Sequence, residues 1–229
     1  MQKSLALANA SKSFFSRLFG DRKFYRIVLR LALPVTLQHF IMSGLNMLDT
    51  IMVGQLGETE IAAVGLSNQL YFNLSLFLLG VGGSCSMFIS QFWGKQDRMN
   101  IRRILGLSLL VNTAAAFLFF LAGFFFPEAI LSLFSKDVEL IRIGSDYLRI
   151  TAFSYIIVGI TVTYSAALRS MEEVKLPMRA SVIGLLTNAV LNYVLIFGRF
   201  GLPRLGVVGA ALGTVIARLV ELGILLTVT

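Results

Sequence analysis

Apolar residues fall into six long runs along this chain, at 27–53, 61–92, 104–126, 147–168, 177–197 and 207–228, with short polar joints between them. A bilayer core of about 30 Å takes about 20 helical residues to cross, so each run is long enough to span. Strands of a membrane barrel would be about ten residues long with strict in-and-out alternation. These runs are continuous and longer, which predicts helices. Gly54, Gly57, Gly94, Pro127, Pro177, Gly198, Gly201 and Pro203 stand at the joints, where breakers belong. Within the third joint, Glu128, Leu131, Leu133, Phe134, Val138 and Ile141 alternate with Lys136, Asp137, Glu139 and Arg142, a pattern that predicts an amphipathic helix lying at the membrane interface. The expected fold class is all-α: a polytopic membrane protein with a six-transmembrane-helix bundle over 27–229.

Composition agrees with a lipid solvent: 56% of the 229 residues are hydrophobic and 14% are charged, with a mean hydropathy of +0.80. The net charge of +8 would suit nucleic acid only if it formed a patch, and it does not. Lys3, Lys12, Arg17, Arg22, Lys23, Arg26 and Arg30 precede or open the first run; Lys95, Arg98, Arg102 and Arg103 follow the second; Arg169, Lys175 and Arg179 follow the fourth. The alternate joints carry only Lys136, Arg142, Arg199 and Arg204. By the positive-inside rule this asymmetry places the N-terminus in the cytoplasm of a multi-pass cell-membrane protein. Basicity here encodes topology, and no nucleic-acid partner is expected. Residues 1–26 mix Phe14, Phe15, Leu18 and Phe19 with basic side chains and lack a continuous apolar stretch, which predicts a basic amphipathic segment on the inner leaflet rather than a cleavable leader.

A single cysteine, Cys85, and a single histidine, His39, supply neither a disulfide nor a metal cluster. No GxxxxGK[ST], HExxH or GxSxG motif occurs, so nucleotide-driven pumping and intramembrane hydrolysis are both disfavoured. The chain is not expected to be an enzyme.

Polar residues inside the apolar runs are therefore the candidates for function. Asp49 is the only carboxylate within the first five runs and lies near the end of the first, where the helix dipole is already negative. A coupling cation, a proton, or a capping or bridging role at the water boundary would each satisfy it. Gln38 and Asn46 fall in the same helical quadrant as Asp49, giving that helix a polar stripe for the bundle interior or a wet cavity. Asn188 and Asn192 are one turn apart on the fifth run, where carboxamides serve either as cation and hydrogen-bond ligands or as interhelical glue. Arg218 and Glu221, three residues apart in the last run, form the expected structural ion pair. Gly209 and Gly213 predict close helix packing. Phe72, Phe77, Met87, Phe119 and Phe153 are candidates for lining a cavity or facing lipid.

Three stretches carry a family resemblance. Leu33-Pro34, then Leu48-Asp49-Thr50-Ile51-Met52-Val53-Gly54 and Leu56-Gly57, resemble the first helix and exit turn of bacterial transporters of the multidrug and toxic compound extrusion (MATE) family. Ile89-Ser90-Gln91-Phe92-Trp93-Gly94-Lys95-Gln96-Asp97, leading into Arg102-Arg103-Ile104-Leu105-Gly106, is similar to the family's second joint. The third stretch comprises Ala167-Leu168-Arg169-Ser170, Lys175-Leu176-Pro177-Met178, Asn188 to Asn192, Leu195 to Gly198 and Gly206 to Ala211.

The resemblance implies one lobe of a twelve-helix transporter, with the C-terminal lobe absent from this chain and supplied by further sequence or a second copy. It also implies cation-coupled antiport, with Na⁺ or H⁺ as coupling ion and no cofactor, exporting small organic, cationic substrates, with membrane lipids as the surrounding partners. On this reading Asp49, Asn188, Asn192 and Thr214 form the cation-coupling site, and Pro34 lets the first helix bend; a static packing kink is the alternative for Pro34. Some relatives have aspartate where this chain has Asn192. A lipid-linked precursor flippase of the same broad superfamily is the alternative function, and it calls for a strongly basic cavity, toward which this lobe offers only Arg218.

Overall fold

The computed structural model describes residues 22–228 apart from position 202, and some side chains of the first helix lie outside that description. Seven helices follow in order: α1 Arg22–Gly54, α2 Glu58–Gly94, α3 Arg98–Phe125, the short α4 Pro127–Ser132, α5 Val138–Ser170, α6 Lys175–Phe197 and α7 Val207–Val228. Among the described residues no strand is present. Helices α2, α3, α5, α6 and α7 are each long and apolar enough to cross a bilayer, and α1, at 33 residues, is the sixth long helix. The amphipathic segment expected over 1–26 lies almost wholly outside the described residues.

Local chemistry explains the joints. Asp97 caps α3, its carboxylate accepting from the Asn100 backbone N–H at 3.2 Å and the Asn100 side-chain amide at 2.6 Å. These hydrogen bonds, backbone first, hold the Asp97 carboxyl below its ordinary value. Asp137 caps α5 by accepting from Glu139 N at 2.9 Å and Leu140 N at 3.3 Å. At the end of α6, Gly198 adopts φ 67° and ψ 47°, the left-handed stop that glycine takes without steric cost.

The third joint departs from expectation. Residues 128–142 do not form one interfacial helix: Pro127 opens α4, which ends at Ser132, and Asp137 starts α5 nine residues before the apolar run begins. The alternating pattern of 138–146 is the first two turns of a transmembrane helix whose inner face, Gly144 and Ser145, is buried while Arg142 and Asp146 remain exposed.

Helix α5 forms the centre of the bundle. It packs against α2, α3 and α7; α6 lies on α7, and α1 lies mainly on α6. One apolar core joins Leu74 and Leu78 of α2, Ala116 of α3, and Leu148, Ala152, Tyr155 and Val158 of α5. A second joins Val53, Val64, Tyr147, Ile196, Val207, Ala210 and Ala211 from five helices. Helices α6 and α7 approach closely because of glycine: a Cβ on Gly209 would lie 2.7 Å from the Leu195 carbonyl carbon, and one on Gly213 would collide with the Asn192 side chain. The outward faces carry Leu33, Phe40, Leu110, Leu118 and Val190, each more than half exposed, as expected of surfaces solvated by lipid.

Candidate functional site: a polar cavity at Asp49

Five helices, α1, α2, α5, α6 and α7, enclose a cavity of about 530 Å³, while α3 stands behind α5 and takes no part. Its volume lies in the usual range for small-molecule sites. Its lining is unusually polar for a membrane interior. Helix α1 contributes Asn46, Asp49 and Thr50; α2 contributes Asn68, Gln69, Tyr71, Phe72 and Ser75; α5 contributes Tyr147, Thr151, Ser154 and Tyr155. Asn188 comes from α6, and Thr214, Arg218 and Glu221 come from α7.

A directed hydrogen-bond chain runs across three helices to the carboxylate. Thr214 Oγ1 donates to the Ala210 carbonyl at 3.0 Å and accepts from Asn188 Nδ2 at 3.4 Å. Asn188 Oδ1 in turn accepts from Asn192 Nδ2 at 3.3 Å, and the same Asn192 amide donates to Asp49 Oδ1. Only the Asn192 amide donates to Asp49; the other donors run the opposite way, from Asn192 to Asn188, from Asn188 to Thr214 and from Thr214 to the Ala210 carbonyl. Among the described residues no Lys, Arg or His forms an ion pair with Asp49, since the two salt bridges are Arg149 with Glu128 and Arg218 with Glu221. Asn192 is fully buried, and its Oδ1 has no hydrogen-bond partner in the protein. The carboxylate therefore has one neutral partner, a buried carbonyl oxygen close by, and an opening into the cavity.

A second polar cluster lies further along the same cavity. Arg218 Nη1 donates to Glu221 Oε2 at 2.8 Å, and Ser181 Oγ donates to Glu221 Oε1 at 2.7 Å. Both carboxylate oxygens are thus satisfied inside the bundle, as a buried charge requires.

The structure gathers Asp49, Asn188, Asn192 and Thr214 into one group and sets Asn46, Arg218 and Glu221 on the same cavity. The side chains of Pro34 and Gln38 lie outside the described residues. Of the aromatic candidates only Phe72 lines the cavity. Phe77 and Met87 are exposed, Phe119 packs against the α2–α3–α5 core, and Phe153 meets Phe120 at a tilt and Phe124 edge to face. Sequence reasoning missed the polar faces of α2 and α5. Tyr147, Thr151, Ser154 and Tyr155 recur at helical spacing, and Asn68, Phe72 and Ser75 do likewise, so a helical-wheel count in these two runs would have found them.

The MatE family profile matches residues 34–194, which includes Asp49, Asn188 and Asn192. The chain belongs to the MatE family. A probable multidrug resistance protein NorM of Rhizobium meliloti is 30% identical over 91% of this chain and 43% of that protein. Another probable multidrug resistance protein NorM, from Halalkalibacterium halodurans, is 30% identical over 83% of this chain and 42% of that protein. A multidrug resistance MATE family transporter of the MOP superfamily, solved in an outward-facing conformation, shares the fold with a TM-score of 0.79 at 22% identity. The match covers 86% of this chain and 43% of that one. This MatE chain thus spans less than half the length of the relatives it matches.

Proposed function

We propose that this chain is the N-terminal lobe of a cation-coupled exporter of small organic cations, working by alternating access against a C-terminal lobe or a second copy. The observation that carries the proposal is Asp49: a carboxylate on a membrane helix, bonded by the Asn192 amide of α6, with no ion-pair partner among the described residues and open to a polar cavity. Its charge is compensated only weakly by an amide, which leaves it able to exchange a proton or Na⁺ as the lobes rearrange. The Asn188, Asn192 and Thr214 oxygens are hard neutral ligands suited to Na⁺, and the same amides hydrogen-bond a protonated carboxyl equally well. The related proteins named as multidrug resistance proteins support export as the direction of transport, with the basic ends of α2, α3, α5 and α6 on the cytoplasmic side. Transport rather than catalysis also accounts for a polar cavity without a nucleophile–base pair.

The test is gradient-driven efflux of a cationic dye from membrane vesicles containing the complete two-lobe protein, with a pH gradient and a Na⁺ gradient applied separately. Asp49→Asn removes efflux under the productive gradient while the amount of protein in the membrane stays normal. Undiminished efflux by that variant refutes the coupling role of Asp49.

A further inference from the structure

We propose that Arg218 is an anion-binding subsite in the cavity, so that the transporter takes amphoteric compounds with the basic group directed to Asp49 and a carboxylate to Arg218. The inference rests on the efflux reading above and adds a specificity-determining residue to it.

The two members of the α7 ion pair are placed differently. Glu221 is 4% exposed and packs so closely on α6 that a Cβ on Gly184 would lie 3.1 Å from its own Cβ. Its two oxygens are occupied by Ser181 and Arg218. Arg218 keeps 24% of its side chain accessible and borders the cavity. Leaving part of the arginine in the cavity spares some of the desolvation cost that burying both ions would incur, and it keeps N–H donors within reach of a ligand. Both residues border the cavity, but the guanidinium is the more accessible of the two. Glu221 acts as a fixed counter-charge: it keeps the embedded pair neutral as a unit and orients the guanidinium through a single N–H. The guanidinium has five N–H donors in a planar fork, and the fork matches a carboxylate in two-point contact.

Geometry sets the second half of the inference. Asp49 is bonded at the level of Asn192; Asn188, one turn away on α6, is bonded to Thr214; Arg218 is one turn beyond Thr214 on α7. Two steps of four residues at 1.5 Å each put the carboxylate and the guanidinium roughly 12 Å apart along the bundle. The cavity therefore has a negative pole and a positive pole at a separation that a drug-sized molecule spans, with Tyr71 and Tyr155 among its lining residues.

The experiment compares two dyes on one scaffold: an aminoxanthene bearing a free benzoic carboxylate, which is amphoteric, and its methyl ester, which is a cation. The complete transporter in vesicles exports both. Arg218→Gln combined with Glu221→Gln removes both charges and leaves a carboxamide for Ser181; it lowers kcat/KM for the free acid by about tenfold, mainly through KM, while the ester stays within about twofold. Arg218→Lys, which retains the Glu221 pair and loses the fork, weakens the free acid selectively too and decides the matter if the double variant is absent from the membrane. Equal loss of both dyes in variants present at normal levels overturns the subsite and makes the pair structural. Export of the ester but never the acid by the unmodified protein also overturns it, leaving the efflux reading intact. Export of neither dye overturns the efflux reading itself.

Discussion

Asn192 shows how one side chain ties two helices to a charge. It is fully buried, its amide donates both to Asp49 on α1 and to Asn188 on its own helix, and its oxygen is pressed against Gly213 of α7. Hydrogen bonds to a charged acceptor are worth about 1.5–3 kcal/mol, so Asn192→Leu, near in volume and without donors, lowers gradient-driven efflux by about 10- to 100-fold. Vesicle transport with membrane protein levels as control checks this. Asp97, at the membrane boundary, has a different pH signature. Folding holds its carboxyl below the ordinary carboxylate value through the Asn100 hydrogen bonds. At intermediate acidity the folded form therefore binds fewer protons than the unfolded one. The stabilising effect of the cap is complete above the unfolded value and disappears as pH falls through the folded value. Asp97→Ala accordingly lowers the melting temperature in detergent at neutral pH, and the difference from the parent protein shrinks toward pH 3, a trend that thermal unfolding monitored by tryptophan fluorescence will reveal.

At the scale of the helix, the decisive contact is between α6 and α7. Gly209 meets the Leu195 backbone, so a larger side chain forces the two helices apart at the level where their amides and Thr214 must stay in register with Asp49. Gly209→Leu is expected to destabilise the bundle by about 1–3 kcal/mol, the usual cost of overpacking. Thermal stability of the purified protein in detergent is the measurement, and an unchanged midpoint would count against close packing at this point. Helix α5 illustrates a boundary that hydrophobicity alone placed wrongly. Its apolar run begins at Tyr147, but the helix starts at Val138 because Asp137 supplies the cap and because α5, at the centre of the bundle, needs only one buried face at its end. A run search registers apolar content; a central helix whose end borders a polar pocket with Glu60 and Arg204 tolerates Arg142 and Asp146 on its wet side.

For the whole molecule, topology is the property most open to direct test. The exposed side chains of Lys95, Arg98, Arg102 and Arg103 lie at the α2–α3 joint, and the exposed side chains of Arg169, Lys175 and Arg179 lie at the α5–α6 joint. Alternating crossings bring these joints to the same end of the bundle as the start of α1. With Cys85, which is buried, replaced by serine, a cysteine at Gln96 should react with a membrane-impermeant thiol reagent only in inside-out vesicles, and a cysteine at Ser135 only in right-side-out vesicles. The reverse pattern overturns the cytoplasmic assignment of the N-terminus. The polar lining of the cavity belongs to this scale as well. Five helices each contribute part of it, and within one helix those residues look like ordinary interruptions of an apolar run.

The succession of long apolar helices, the gathering of basic residues at alternate joints and the anomaly of Asp49 were determined by the sequence itself. Each is a one-dimensional property, governed by the energy of transferring a residue between water and lipid and nearly independent of what that residue touches. Only the tertiary structure decided that Asn192 serves Asp49, that Ser181 completes the shell around Glu221, and that Arg218 faces the cavity. These depend on the rotation and spacing of helices about one another, which close packing at Gly209 and Gly213 fixes. Hydrogen bonds reach about 3 Å, so a fraction of a helical turn separates a coordinating group from one buried against lipid.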